Sequence, residues 1–247
     1  MTPSPAPAAR RGRPRSAAAD RAILDATRAA LVELGWGKLT MSDVAARAGV
    51  AKTTLYRRWT GKNELVVDAV AVLFDELALP DHGCLQADIE DVVLQFAALL
   101  ARPETKTALM AVVAESTTDP ALRARIREAI VDRQKRLVIL GRRRAQRRGE
   151  LPPDADGEEG AAAAARAVGL IFDVIAGAVV HRSLVSAEPV DARWAEQLTS
   201  LLLGGLNALD ERAAGAGAKA NGGASEPGRP RPCDQDQRRR AEAEHAP

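Results

Sequence analysis

The chain has 247 residues, enough for one or two domains with a sizeable core, and only seven of them are aromatic. Because runs with strand alternation are few, a core built mainly from Ala, Leu and Val favours an all-α fold and argues against a sheet protein. Residues 1–62 carry 12 Lys or Arg against 4 Asp or Glu, whereas the other 185 residues carry 23 against 29. A basic N-terminal part and an acidic remainder indicate a protein that contacts nucleic acid at one end.

Residues 1–15 are rich in Pro and Ala and then in Arg, a composition that predicts a disordered basic arm. One interpretation is a leader that only adds positive charge. The other rests on the stretch Arg-Gly-Arg-Pro, which resembles the core of an AT-hook. Gly removes bulk and Pro keeps the chain extended, so that Arg11 and Arg13 can lie in a narrow A·T-rich minor groove. We favour the second interpretation because the arm directly precedes the helices described next.

A first helix is predicted over residues 16–34, where Ser16 can act as the cap and Ile23 and Leu34 mark one apolar face. Two short helical patterns joined by a glycine turn follow. Thr40 stands where an N-cap belongs, and Gly49 can adopt the left-handed conformation that ends a helix.

The second short helix, over about residues 52–59, points Leu55 and Trp59 inward. Its outer face and flanks carry Lys52, Thr53, Tyr56, Arg57 and Arg58. Two short helices, a glycine turn and a basic outer face predict a helix-turn-helix motif.

The bare pattern could also belong to two surface helices of an ordinary bundle. A more specific signal is the stretch Ala-Gly-Val-Ala-Lys-Thr-Thr-Leu-Tyr-Arg-Arg-Trp, followed by Thr-Gly-Lys, which resembles the DNA-binding signature of the TetR/AcrR family of transcriptional regulators. The resemblance covers about residues 16–70. Thr53 stands where many members have Gly, and Trp59 where many have Phe, and we expect Thr53 to affect which DNA sequence is read.

The resemblance implies a homodimer that inserts two copies of the second short helix into successive major grooves of a palindromic, double-stranded DNA operator. The residues expected to face bases are Ser42, Lys52, Thr53 and Arg57. Those expected to hold phosphates and set the register are Thr40, Thr54, Tyr56, Arg58 and Lys62.

A fourth helix is predicted over residues 62–79, because its apolar residues share one face and no Gly or Pro occurs before Pro80. Further helical patterns cover about residues 86–100, 104–116, 120–149, 158–186 and 191–209. The part from about 83 to 209 resembles the C-terminal half of actinobacterial-type TetR regulators. The predicted organisation is a disordered arm (1–15), a three-helix DNA-binding domain (16–62), a helical ligand-binding and dimerisation domain (63–210) and a disordered tail (211–247).

The pattern over residues 158–186 is apolar most of the way round, so that such a helix must be covered on every side. A second subunit is the expected cover, although a monomer core is the alternative. The predicted interface comprises Gly169, Asp173, Gly177, His181, Trp194, Leu198, Leu201, Leu202 and Gly205. The most apolar run of the chain, residues 168–180, is judged too short to cross a membrane. No signal-peptide pattern follows the N-terminal arginines. We therefore expect a cytoplasmic protein without a membrane partner.

The resemblance also implies a small-molecule effector bound among the C-terminal helices. The residues expected to line its pocket are Phe96, Leu99, Met110, Val113 and Phe172, which suggests a lipophilic or aromatic compound. The basic run 142–148 allows two interpretations, a second nucleic-acid surface or a solvated helix end beside the acidic stretch 154–159, and we favour the latter.

An enzyme on a helical bundle is the competing class. The histidines His82, His181 and His245 are far apart in the sequence, and none begins a metal-binding motif. The sequence has no Gly-rich phosphate loop and no nucleophile elbow. We therefore predict a repressor released by its effector, with no catalytic residue, cofactor or metal, and a dimeric DNA-binding regulator without an effector as the alternative.

Overall fold

The computed structural model describes residues 17–218, with side chains up to Leu206. All regular structure in this range is helical, which confirms the predicted all-α fold. The α-helices are α1 (Ala17–Lys38), α2 (Met41–Arg47), α3 (Lys52–Tyr56), α4 (Lys62–Phe74), α5 (Leu85–Ala101), α6 (Pro103–Ser116), α7 (Pro120–Ile126), α8 (Asp132–Arg148), α9 (Gly157–Val180) and α10 (Ala192–Ala218).

Two of the long helical segments contain a wider turn with i to i+5 hydrogen bonding. Arg127–Val131 joins α7 to α8, and His181–Val185 extends α9. The sequence therefore correctly predicted one continuous helical segment in each place. At the C-terminus, α10 reaches Ala218, so that residues 211–218, assigned to the tail, are helical instead. The rest of the tail and the basic arm with Arg11 and Arg13 lie outside the described residues.

The first four helices share one core with the C-terminal helices. Ile23, Leu31, Val44, Leu55 and Val66 are each at most 1% exposed. Within α1, the backbone leaves helical geometry at Gly35 (φ 71°, ψ 170°), where the sequence predicted the helix to end. Because α1 packs on α6, and α4 packs on both α6 and α7, the helix-turn-helix unit is attached to the C-terminal helices along two faces.

The fourth helix is shorter than predicted and ends at Phe74, not at residue 79. Side chains of α8 hold this end in place. The Gln134 amide donates to the Phe74 carbonyl oxygen at 2.9 Å, and the Arg133 guanidinium pairs with Asp75 at 2.7 Å. These bonds give partners to groups at the last turn of α4, where helical carbonyl oxygens lack partners within the helix, and so favour an end of the helix at this point. Because the partners come from α8, no local sequence pattern indicates this end.

The apolar helix α9 is poorly covered within one chain. Together with its wide turn it spans Gly157–Val185, 29 residues, and only 17% of its most apolar window is buried. By length and composition alone this 29-residue segment of the described range could cross a membrane, and residues 168–180, judged from the sequence too short to do so, are only part of it. An exposed carboxylate, Asp173, sits in the middle of this segment.

Candidate nucleic-acid interface

The helix-turn-helix begins with a reciprocal cap at Thr40. The Thr40 hydroxyl accepts the backbone N–H of Asp43 at 3.2 Å, and the Asp43 carboxylate accepts the backbone N–H of Thr40 at 3.0 Å. The carboxylate also accepts the Thr40 hydroxyl proton at 2.6 Å, and this bond is the main reason why the pKa of Asp43 is lowered. The predicted phosphate contact Thr40 therefore also fixes the start of α2.

The turn between α2 and α3 depends on Gly49, whose φ of +65° is the left-handed conformation that the sequence predicted. The chain then enters α3 after Ala51, and the Val50 N–H bonds back to the Ala45 carbonyl oxygen at 3.0 Å. The turn holds α3 across α2, with Leu55 (0% exposed) and Trp59 (6% exposed) buried beneath it.

The second helix of the motif is shorter than predicted, since regular helix covers Lys52–Tyr56 and not residues 52–59. The chain nevertheless continues to coil, because the backbone N–H groups of Arg58 and Trp59 both bond to the Leu55 carbonyl oxygen, at 2.8 and 2.9 Å. Trp59 therefore still reaches the core as the i+4 spacing from Leu55 indicated.

The outward face of α3 is basic and exposed. Lys52, Thr53, Tyr56 and Arg57 are all exposed, Tyr56 by 57%. Within the described residues neither Lys52 nor Arg57 has an ion-pair partner. Thr54 and Ser42 are half-buried on the flanks. Two free cations, a hydroxyl and a phenol on one short ridge form a surface suited to the edges and phosphates of a DNA groove.

Two of the predicted phosphate contacts have a second role inside the protein. Arg58 forms an ion pair with Asp20 of α1, and its side chain is 18% exposed. The Lys62 ammonium donates to the Trp36 carbonyl oxygen at 2.9 Å and lies 4.7 Å from the centre of the Trp36 ring. Arg58 therefore ties the segment after α3 to α1, and Lys62 ties α4 to α1, a use that their position in the sequence did not reveal.

Sequence reasoning missed Asp68 altogether. Its carboxylate accepts the indole N–H of Trp59 at 2.9 Å and a guanidinium N–H of Arg125 on α7 at 2.7 Å. Nearby, the Asn63 amide donates to Asp119 at the start of α7, at 3.0 Å. The sequence did contain a signal for this contact. A buried indole N–H needs an acceptor, and Asp68 is a lone carboxylate in an apolar stretch of α4.

An apolar cavity of about 70 Å³ lies among α4, α5, α8 and α9. Its lining consists of Phe74, Leu77, Val92, Phe96, Ile130, Gln134, Leu137, Val138, Phe172, Ile175 and Ala176. A second apolar cavity of about 50 Å³ shares Val92, Leu137, Val138 and Ile175 with it.

The cavity lining contains two of the five residues expected to line an effector pocket, Phe96 and Phe172. The other three do not take part in either apolar cavity. Leu99 is buried in the core (2% exposed), and Met110 and Val113 lie on the exposed side of α6, 45% and 46% exposed. The helical period placed all three on apolar faces but could not say which face meets the cavity.

The sequence matches two family descriptions over successive stretches of the chain. Residues 23–69 match the family described as bacterial regulatory proteins, tetR family. Residues 79–202, half of the chain, match the tetracyclin repressor-like C-terminal domain. The chain belongs to the TetR family of transcriptional regulators.

Three individual regulators resemble the chain, two of them along most of its length and the third over about a third of it. The uncharacterized HTH-type transcriptional regulator Rv1556 of Mycobacterium tuberculosis is 29% identical over 169 residues, 68% of this chain and 77% of that protein. The crystal structure of the TetR family transcription regulator SCO0332 has a TM-score of 0.60 at 30% identity, covering 76% of this chain and 97% of its own. The DNA-binding transcriptional repressor TetR of Mycobacteroides abscessus is 38% identical over 82 residues, 32% of this chain and 40% of its own.

The basic run of this TetR-family protein is largely taken up by internal contacts. Arg142 pairs with Asp154 at 2.6 Å, and Arg144 donates to the carbonyl oxygens of Leu79 and Pro80 at 2.8 and 3.0 Å. Arg148 pairs with Asp81 at 2.7 Å, with the buried Asp88 at 3.1 Å and with Glu150. Arg144 and Arg148 thus hold the loop between α4 and α5, Arg142 holds the loop before α9, and Arg143 and Arg147 are exposed.

The predicted dimer residues fall into two groups. Asp173, Gly177 and His181 share an exposed face of α9, Gly169 is half-buried beside them, and Leu201 of α10 is 75% exposed. Gly205 is exposed, and Trp194 and Leu198 are half-buried. Leu202 is different, because it is 7% exposed and packs in the protomer core, which leaves little of its side chain for a partner.

Proposed function

We propose that the protein is a homodimeric repressor that binds a palindromic operator through α3 and leaves it when an apolar ligand occupies the cavity. The observation that carries the DNA-binding part is the free basic ridge of α3 over a buried Leu55 and Trp59 anchor. In this proposal Lys52 or Arg57 reads guanine in the major groove, Thr53 sets the base preference, and Ser42 approaches from α2. Thr40, Thr54, Tyr56, Arg58 and Lys62 hold the backbone phosphates, the last two with donors left over from their internal bonds.

The dimer follows from the apolar surface of α9 and α10. Leu170, Val185 and Leu201 are 47%, 67% and 75% exposed, which is unfavourable for a lone protomer in water. The exposed ridge through Gly177 lets a partner helix approach closely. A second copy of the same face is the simplest cover, since most soluble oligomers are two-fold homodimers. Such a dimer presents two α3 helices to major grooves about 34–36 Å apart.

The effector part rests on the position of the cavity. Phe74, the last residue of α4, is one wall of the cavity, and Asp68 of the same helix bonds to Trp59, which follows α3. A compound that wedges between Phe74 and Phe172 would displace the end of a helix whose beginning positions α3. We also propose that the protein acts in the cytoplasm, which its membership of a family of transcriptional regulators supports.

A release assay tests this proposal. An operator selected from random DNA is labelled, bound by the protein and challenged with a panel of apolar aromatic and aliphatic compounds, with fluorescence anisotropy as the readout. Ala176 lines the cavity, so Ala176→Leu should keep DNA affinity and abolish release. The control is Ala124→Leu at an exposed site of α7, which should behave like wild type. Specific DNA binding that no compound relieves would favour a regulator without an effector.

A further inference from the structure

The apolar cavity contains a single polar side chain. Of the eleven residues that line it, ten are aliphatic or aromatic, and the remaining one is Gln134 of α8. A cavity of this kind gains affinity from its apolar walls and orientation from its few polar groups. The chemistry of the Gln134 amide therefore decides which apolar molecules the site accepts.

The orientation of this amide is fixed by its partner. The Gln134 Nε2 group lies 2.9 Å from the Phe74 carbonyl oxygen, and a carbonyl can only accept, so the nitrogen must be the atom that faces it. The Gln134 Oε1 atom is consequently turned away from α4. It is buried and has no hydrogen-bond partner within the described residues.

A buried acceptor without a partner is unfavourable in the unliganded protein, and a ligand that supplies a donor removes this penalty on binding. An apolar ligand without a donor would leave the penalty in place and displace any water that could serve instead. The site should therefore distinguish two ligands of the same shape by one hydroxyl or N–H group.

We infer that the cavity takes a mainly apolar ligand carrying one hydrogen-bond donor, which Gln134 Oε1 accepts. This inference rests on the proposed effector function and names the chemical class of the effector. It adds a path for the signal, because one amide group then joins the ligand donor to the carbonyl of Phe74, where α4 ends. The neighbouring pair of Arg133 with Asp75 anchors the same end of α4.

The test uses two probes of nearly equal shape, 2-naphthol, which has a donor, and 2-methoxynaphthalene, which has none. Calorimetric titration of the full-length protein should show that wild type prefers 2-naphthol by about tenfold, the scale of one hydrogen bond. Gln134→Met keeps an unbranched side chain but lacks the amide, so this variant should bind the two probes equally well. Leu137→Met, a volume-conserving change elsewhere in the lining, should retain it.

The possible results separate this inference from the proposed function. Equal binding of both probes by wild type, or a preference that Gln134→Met retains, would overturn the inference and leave an effector site of another chemistry. The wild-type comparison decides the matter even if Gln134→Met does not fold. Binding of neither probe would overturn both the inference and the effector part of the proposed function. The predicted preference without displacement of operator DNA would support the inference and refute release.

Discussion

Replacing Gly177 by Leu should separate the two protomers while leaving each one folded. Gly177 lies on the exposed face of α9, and a Cβ atom added there meets no other atom of the chain within 4 Å. Its backbone φ is outside the left-handed region, so a leucine introduces no strain. Within the protomer the change should even stabilise the helix, by up to about 1 kcal/mol, because Gly is a poor helix former.

We expect Gly177→Leu to cost free energy only in the dimer, where two copies of α9 meet. Inserting a large side chain into a packed contact costs about 1–3 kcal/mol. A two-fold interface contains the position twice, which gives roughly 2–6 kcal/mol per dimer, or about 30-fold to more than 10⁴-fold in the dissociation constant. A protomer-only structural role for Gly177 predicts no such change.

Sedimentation equilibrium over a wide concentration range measures the effect, with far-ultraviolet circular dichroism to verify that the helices persist. Ala124→Leu adds a comparable side chain at an exposed position of α7 and should dimerise like wild type. An intact, equally tight dimer of Gly177→Leu would remove this face of α9 from the interface and refute the reasoning.

Three further predictions concern stability, each measured as the free energy of unfolding in urea. Trp59→Phe keeps the buried ring but removes the N–H that Asp68 accepts, and should cost about 1.5–3 kcal/mol; an unchanged midpoint would show that this bond contributes nothing. Thr40→Ala should cost about 0.5–2 kcal/mol and Thr40→Ser much less, since serine keeps the capping oxygen, and equal losses would contradict the cap. Burial raises the pKa of Asp88 despite its bonds from the His82 N–H and Arg148, so the folded state holds this proton more tightly than the unfolded state. Relative to Asp88→Asn, the wild type should therefore lose stability as pH rises above about 4, the ordinary pKa of an aspartate, and a difference independent of pH would contradict this.

The local features of the chain could be predicted from the sequence. The turn at Gly49, the inward Leu55 and the uncovered apolar helix α9 all follow from residue type and helical period. These features depend on neighbours within a few residues, which a single sequence displays directly.

The links between distant elements could not be predicted in the same way. Asp68 and Arg125 are 57 positions apart, and nothing in either helix indicates that the other faces it. The same limit applies to Met110, predicted to line a pocket and 45% exposed, and to Leu202, predicted to lie in an interface and 7% exposed. A helical period shows which residues share a face but not what that face meets.

The central claim is that two copies of α3 read a palindromic operator, and selection of binding sites from random DNA tests it most directly. The wild type should enrich an inverted repeat whose half-sites lie about one helical turn apart or a multiple of it. Arg57→Ala should relax the preference at the same position of both half-sites, whereas Tyr56→Phe should weaken all sites by similar factors. The account would be contradicted if the wild type enriched no sequence or a site without two-fold symmetry. It would also be contradicted if Arg57→Ala selected the same site as the wild type.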